Sequence, residues 1–269
     1  MHEHRPAAPP RGADAPRSDV QVAVQAAEAA ADVLLALRER AAGCADLKDR
    51  GDRDAQAVIA AVLAEHRPAD AVLSEEAADD SDRLRADRVW IVDPLDGTRE
   101  YGEAGREDWA VHVALWESGE LTAAAVALPA CHLVLTTDCP TGTAPPAPAH
   151  TGRPRFAVSR SRATRLVTDA AVRLDAELVP LGSAGFKASA VVLGTVDAYV
   201  HTGGQFEWDS AAPVAVARAA GLHTSRVDGS PLVYNRPDPT LPDLVVCRPE
   251  LADDILAALA QLQTATHRA

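Results

Sequence analysis

The chain has 269 residues, 47% of them hydrophobic and 24% charged, the balance of an ordinary folded globular protein of one to two domains. Its 26 basic and 39 acidic residues leave a net charge of −13, which argues against a broad basic face for nucleic acid and against an anchor to an anionic membrane. Small phosphates stay open as ligands, because carboxylates that hold cations can receive them.

No apolar run reaches the ~18–20 residues needed to span a bilayer. The start, Met1-His-Glu-His-Arg5 followed by Pro9, Pro10 and Pro16, lacks the apolar core of a signal peptide, so a cytoplasmic chain with no membrane partner is expected. Cys44, Cys131, Cys139 and Cys247 form no CxxC pair and read as reduced, mostly buried small hydrophobes.

Residues 1–18 are rich in Pro, Ala, Arg and Asp without periodicity and read as a flexible tail. Ser18 and Asp19 are suited to cap a long amphipathic helix over 20–42, whose apolar positions Val24, Ala27, Ala31, Leu34 and Leu35 recur at helical spacing. A polar turn over 46–54 leads to a second predicted helix over 55–64, ended before Pro68. Short strands follow at 71–73 and 89–92, each running into acidic and turn residues. Three more, at 110–116, 121–128 and 131–137, are separated by turn signals and predict an antiparallel meander. From Pro140 to Pro154 the composition shifts to Pro, Thr, Gly and Ala, a long loop or the seam between domains. Beyond it strands at 156–159, 177–181 and 198–200 alternate with helices over 163–174, 186–193 and 210–220, the last closed by Gly221. The expected organisation is an α+β domain at 19–140, a linker at 141–154 and an α/β domain at 155–269.

The chemistry concentrates in two acidic clusters beside scarce aromatics. The first is Glu75-Glu76 with Asp93-Pro94-Leu95-Asp96-Gly97-Thr98-Arg99-Glu100-Tyr101; the second is Glu207-Trp208-Asp209. Pro94 fixes its φ and Gly97 admits backbone conformations closed to other residues, so a rigid turn can bring Asp93 and Asp96 together. Two carboxylates that close repel unless a cation lies between them, and Mg²⁺ prefers such hard oxygen ligands, with a backbone carbonyl such as that of Leu95 completing the set. As an isolated fragment Asp-Pro-Leu-Asp-Gly is equally a surface turn. His112 and His132 lack His or Cys partners at metal spacing and read as core or edge histidines.

Asp93-Pro-Leu-Asp-Gly-Thr98 resembles the first signature of the lithium-sensitive, Mg²⁺-dependent phosphomonoesterases of the inositol monophosphatase superfamily. Trp208-Asp-Ser-Ala-Ala is similar to its second signature, and Leu73-Ser-Glu-Glu76 to its Glu-Glu segment. Arg99-Glu100-Tyr101, Ser159-Arg160-Ser161 and Gly182-Ser183 with Lys187 look more like the CysQ-type 3′-phosphoadenosine 5′-phosphate phosphatases than the inositol phosphatases. The segment 200–205 departs from that branch.

The resemblance implies a layered αβαβα sandwich of the α/β class and two or three Mg²⁺ ions. One ion would be held by Glu75, Asp93 and the Leu95 carbonyl, a second by Asp93, Asp96 and Asp209, and a third, weaker one beside Glu75. Thr98 and Asp52 would orient the attacking water, with Asp54 the alternative to Asp52. The other reading of Asp49, Asp52 and Asp54 is as caps of a helix beginning near Ala55. Gly97 and Thr98 would grip phosphate, and Arg99, Ser159, Arg160, Ser183, Lys187 and His201 would meet the rest of the substrate. The implied reaction removes the 3′-phosphate from 3′-phosphoadenosine 5′-phosphate, or from its sulfated form, clearing a by-product of sulfate activation. Turnover of inositol 1-phosphate or fructose 1,6-bisphosphate is the alternative, and a silent metal-binding homologue the alternative of another class. Homodimers are common in the superfamily.

Overall fold

The computed structural model describes residues 17–41, 43–142 and 152–266, so most of the tail expected at 1–18 and of the linker expected at 141–154 lies outside the described residues. Helix α1 (Asp19–Arg40) opens with a capping box in which the Ser18 hydroxyl accepts from the Gln21 N–H at 3.2 Å and the Ser18 N–H donates to the Gln21 side chain at 2.9 Å. By length and composition α1 is apolar enough to cross a membrane, with mean hydropathy 1.5, which corrects the expectation that no segment is. Its Val22, Ala23, Ala26, Ala30, Leu34 and Leu37 side is buried in a core shared with a second helix and a sheet.

That second helix, α2 (Leu47–His66), begins eight residues before the expected start at 55. Asp49, Asp52 and Asp54 therefore lie inside the helix and do not cap it. Burial of Leu47 and Gly51 against the neighbouring elements outweighs the turn preference of the local Asp and Gly residues.

The first sheet holds β1 (Ala71–Ser74), β2 (Arg88–Asp96), β3 (Ala110–Glu117), β4 (Glu120–Leu128) and β5 (Leu133–Thr136) in that order, β1 parallel to β2 and the rest antiparallel. The meander is as expected, except that Cys131 lies in a 3₁₀ turn before β5. Helix α3 (Thr98–Gly102) follows β2 directly. The second sheet has the order β7 (Glu177–Leu181), β6 (Arg155–Ser159), β8 (Ala198–Phe206), β10 (Thr240–Cys247), β9 (His223–Ser225). Strand β6 is parallel to β7 and β8, and β10 is antiparallel to β8 and β9. Helices α4 (Arg165–Arg173), α5 (Ala184–Val192), α6 (Ala211–Ala219) and α7 (Ala252–Thr266) complete the chain; β9, β10 and α7 have no counterpart among the expected elements.

Strand periodicity explains the layering. In β2, Trp90 and Val92 join the α1–α2 core, while Val89 and Ile91 point the other way, into a core with α5 and α6. That central core continues to Tyr199, Leu244 and Val246 of the second sheet, whose other face carries Ala198, Val200 and Val245 against α4 and α7. The result is the expected αβαβα sandwich, in which each sheet is covered on both faces.

All four cysteines are free thiols, and three of them, Cys44, Cys131 and Cys139, are exposed. This corrects the expectation that they are mostly buried. Those three fall in turns flanking the elements, and only Cys247, on β10, is in a core.

Candidate active site

The site is built where β2 ends. The pairing of β2 with β3 breaks between Asp93 and Asp96, so the strict alternation that would send two residues three apart to opposite faces is lost at Pro94 and Leu95. Gly97 then takes φ +89°, and a Cβ there would stand 2.8 Å from the Ser183 Cβ; only glycine satisfies both the conformation and the approach. As a consequence Asp93 and Asp96 converge with Asp209, at the start of the segment leading into α6, and each offers a carboxylate oxygen within 4.8 Å of the others.

The environment of these carboxylates is asymmetric. Asp93 is fully buried, one oxygen accepts only the Leu95 N–H at 3.0 Å, and the other has no partner. Burial, reinforced by the charges of Asp96, Glu75 and Asp209, raises its pKa far above the carboxylate range. Asp209 is pushed up to about 6 by burial and then by Asp96.

Asp96 is the exception. Burial alone would raise it, yet His112 holds it below its ordinary value. The His112 Nε2 lies 3.3 Å from Asp96 Oδ2 and its Nδ1 3.0 Å from the Trp208 carbonyl, so both ring nitrogens face acceptors. Burial opposes the charge on His112, but Asp96 raises its pKa. The N–H groups of Ala184 and Gly185, at the start of α5, donate to the two oxygens of Asp96 at 3.2 and 2.6 Å.

Glu75 follows β1 and lines the same cavity, although it stands outside the three-carboxylate cluster and remains accessible to solvent. Its carboxyl is pushed up to about 7 by desolvation at the cavity and then by Asp209 and Asp96. Thr98 opens α3, its hydroxyl 3.2 Å from the Leu95 carbonyl and 3.5 Å from Asp52 Oδ1 on α2. Burial and the charge of Glu76 push Asp52 up to about 7. Asp54 instead faces Arg53 at 3.9 Å. Asp52, not Asp54, is therefore the carboxylate brought to Thr98.

A cavity of about 660 Å³ opens over this cluster. Gly97, Thr98, Arg99, Ser159, Ser183, Lys187 and His201 line it, as sequence reasoning expected. Lys187 is buried, its ammonium 2.7 Å from the Ser183 carbonyl and also on the Gly182 carbonyl, and desolvation brings its pKa down to about 8. Arg160 is turned into the wall, where it pairs with Glu100 at 2.8 Å and Glu103 at 3.0 Å, and it does not line the cavity. Two residues on, Arg162 does line the cavity. The Ser-Arg-Ser-Arg run contains both arginines, and only the turn of the backbone after β6 separates their fates. Phe206, one of the scarce aromatics beside the acidic clusters, also lines the cavity; sequence reasoning missed Tyr199 and Gln205 there, and it read His112 as a core or edge histidine without seeing its contact with Asp96.

Across the cluster, Arg83 ties its two halves together. This buried guanidinium pairs with Asp79 at 2.6 Å, the Asn235 side chain at 2.7 Å and the Arg236 carbonyl at 2.9 Å. The N–H groups of Asn235 and Arg236 in turn donate to buried Glu207, two residues before Asp209.

A layered sandwich with buried, mutually repelling carboxylates beneath an open cavity, edged by Lys187 and Arg162, defines a metal-dependent site for a small anion. Residues 16–264 match the inositol monophosphatase family, and the chain belongs to that family, whose members are metal-dependent phosphatases. It is 54% identical over 220 residues, 80% of this chain and 82% of the relative, to a 3′-phosphoadenosine 5′-phosphate phosphatase of Mycobacterium bovis. A protein of the same description from Mycobacterium leprae is 48% identical over 265 residues, 91% of this chain and 94% of that one. Among solved structures, CysQ from Bacteroides thetaiotaomicron superposes with a TM-score of 0.74 at 26% identity, covering 86% of this chain and 97% of CysQ.

Proposed function

We propose that this chain is a Mg²⁺-dependent phosphomonoesterase that hydrolyses the 3′-phosphate of 3′-phosphoadenosine 5′-phosphate to give AMP, and that also accepts the sulfated nucleotide. The observation that carries the reading is identity of 48–54% to relatives described as phosphatases of that nucleotide, across 80% or more of this chain. The cation site fits the chain's own chemistry: an orphaned, fully buried Asp93 oxygen and three convergent carboxylates need a hard cation to balance them. Glu75, Asp93, the Leu95 carbonyl, Asp96 and Asp209 would hold two or three Mg²⁺ ions. When bound, Mg²⁺ supplies charge neutralisation on the transferred phosphoryl group and an acidified water.

The protein's own groups do the rest. Thr98 and Asp52, 3.5 Å apart, orient the attacking water. The Asp96 carboxylate is steered by His112 and the first N–H groups of α5, which leaves it ionised. Gly97 and Thr98 would offer phosphate their backbone N–H groups, and Arg99, Ser159, Ser183, Lys187 and His201, which line the cavity, would meet the remainder of the nucleotide. Arg162 replaces Arg160 in the proposed contact with the 5′-phosphate, because Arg160 is spent on Glu100 and Glu103.

Two lobes, at 19–140 and 155–269, are proposed, with α5 and α6 in the core between their sheets. A cytoplasmic location is supported by the packing of one side of α1, the one helix among the described residues long and apolar enough to cross a membrane, into the core, and by four free thiols. A panel of 3′-phosphoadenosine 5′-phosphate, inositol 1-phosphate and fructose 1,6-bisphosphate, assayed for Mg²⁺-dependent phosphate release, tests the reading. The nucleotide is expected to have the highest kcat/KM, and equal or faster turnover of either other substrate overturns it.

A further inference from the structure

We infer that Arg83 is a positioning residue for the reaction: its guanidinium locks the segment carrying Glu75 onto the segment carrying Asp209, and so sets the spacing of those two carboxylates about the cation site. The inference rests on the Mg²⁺ site of the proposed reaction. Glu75 is the first residue beyond β1, and although its N–H still reaches the Val92 carbonyl at 3.3 Å, residues 75–82 run exposed to solvent. Between 75 and 85 Arg83 alone is buried, at 1% exposure. This ligand-bearing segment owes its attachment beyond the sheet edge to that one side chain.

The guanidinium donates in two directions. Its Nε and Nη2 take both oxygens of Asp79, four residues after Glu75, at 2.6 and 3.0 Å. Its Nη1 and Nη2 reach across to the Asn235 side-chain oxygen at 2.7 Å and the Arg236 carbonyl at 2.9 Å. The segment gripped in this way holds Asp209 from both sides. The N–H groups of Asn235 and Arg236 donate to the two oxygens of fully buried Glu207 at 2.6 and 2.9 Å, and the Tyr234 hydroxyl lies 3.2 Å from that of Ser210. Glu207 and Ser210 flank Trp208 and Asp209 in the sequence. From Glu75 to Asp209 the tie is therefore continuous, through hydrogen bonds and short stretches of backbone, with Arg83 at its centre.

A buried charge is a poor device for stability alone. Taking a guanidinium out of water is costly, and a well-packed apolar side chain of similar volume often serves as well or better. What the fork adds is direction: four bonds donated from one rigid plane admit a single register between two segments, which an apolar contact or the point charge of a lysine does not. Register is what Glu75 and Asp209 need. Asp93 is fixed within β2, and Asp96 accepts the N–H groups of Ala184 and Gly185. Glu75 stands where the chain leaves β1, and Asp209 between the end of β8 and the start of α6, so neither is placed by the ladder of a sheet. Arg83 relates the two.

The test is a Mg²⁺ titration of the full-length protein by differential scanning fluorimetry without substrate, for wild type, Arg83→Lys and Asp79→Asn, alongside steady-state kinetics with 3′-phosphoadenosine 5′-phosphate. Lysine keeps the charge and loses the fork. Asp79 is 40% exposed, so Asp79→Asn loosens the grip on the Glu75 segment without a change in the core. The Mg²⁺ concentration that gives half of the rise in Tm is expected to increase about 10-fold in Arg83→Lys and about threefold in Asp79→Asn, the scale on which partners that orient metal ligands act. Half-maximal activity should need correspondingly more Mg²⁺, while at saturating Mg²⁺ the nucleotide KM stays within about threefold of wild type. A variant that melts lower without metal, yet reaches half of its Mg²⁺ response at the wild-type concentration, reduces Arg83 to a strut and overturns the inference. Should Arg83→Lys not fold, Asp79→Asn decides: an unchanged Mg²⁺ midpoint overturns the inference and a raised one supports it. A wild type that binds Mg²⁺ but leaves the nucleotide intact overturns the proposed substrate instead, and the substrate-free titration still reads Arg83. A wild type whose Tm does not respond to Mg²⁺ overturns the cation site and this inference with it.

Discussion

Thr98, the first residue of α3, faces Asp52 of α2 across 3.5 Å, although 46 residues of chain separate them. Neither residue belongs to the carboxylate cluster, but both stand at its edge, and burial gives Asp52 a pKa of about 7. Asp52→Asn and Thr98→Ala are each expected to lower kcat about 10²- to 10⁴-fold, the usual contribution of a positioned proton acceptor. Wild-type kcat/KM should fall on the acid side as Asp52 takes up a proton, and Asp52→Asn should lose that limb. Thermal unfolding of both variants should stay close to wild type, and a large drop in Tm would recast the pair as structural.

The carboxylates make folding without a cation dependent on pH. Folding raises Asp93, pushes Glu75 up to about 7 and Asp209 to about 6, so the folded chain binds these protons more tightly than the unfolded one. The contribution of Glu75 and Asp209 to stability is complete below the ordinary carboxylate range and is lost as pH rises through about 6 to 7, and that of Asp93 is lost in the same direction. Metal-free protein should therefore melt at a lower temperature at pH 8 than at pH 5.5, and Mg²⁺ should raise Tm more at pH 8. At a hundredfold excess over Kd the gain is about 2.7 kcal/mol. Asp93→Asn should remove that gain together with activity, as differential scanning fluorimetry with and without Mg²⁺ would read.

Arg162 lines the cavity, where the proposed reading sets it against the second phosphate of the nucleotide, whereas Arg160 is held by Glu100 and Glu103. Loss of a charge-assisted contact costs about 1.5–3 kcal/mol, so Arg162→Ala should raise the KM for 3′-phosphoadenosine 5′-phosphate about 10- to 100-fold. The KM for 3′-AMP, which lacks the second phosphate, should change far less. Arg160→Ala should act mainly on stability.

Gly185 is where α5 meets the cluster. A Cβ there would stand 1.8 Å from His112 Nε2, and both atoms are buried in the packed centre of the sandwich. Gly185→Ala must push α5 or His112 aside, which loosens the N–H donors on Asp96 as well as the packing. A loss of about 1–3 kcal/mol in chemical denaturation and a weaker Mg²⁺ response are expected. Unchanged stability would show that the helix start yields freely.

Much of this was legible in the chain before any tertiary structure. The Asp93 to Thr98 turn is encoded locally, because Pro94 fixes its own φ and Gly97 admits a conformation closed to other residues. The N-cap at Ser18 and the meander of β3 to β5 were likewise readable from capping chemistry and apolar period, and the αβαβα order was implied by the family resemblance. The start of α2 was not: Asp49, Gly51 and Asp52 read locally as a turn, and the burial that makes them helical is supplied by residues tens of positions away.

Residue type and spacing alone determined that this protein concentrates carboxylates on a rigid turn, since both depend only on neighbours in sequence. Tertiary structure alone decided which charges meet. It brought Asp52 to Thr98 and His112 to Asp96, faced Arg162 into the cavity and Arg160 into its wall, and set Phe206 on Trp208 beside an unpartnered Gln205. The physical reason is that side-chain direction after a strand end, and the desolvation that shifts a pKa, arise from packing between elements distant in sequence.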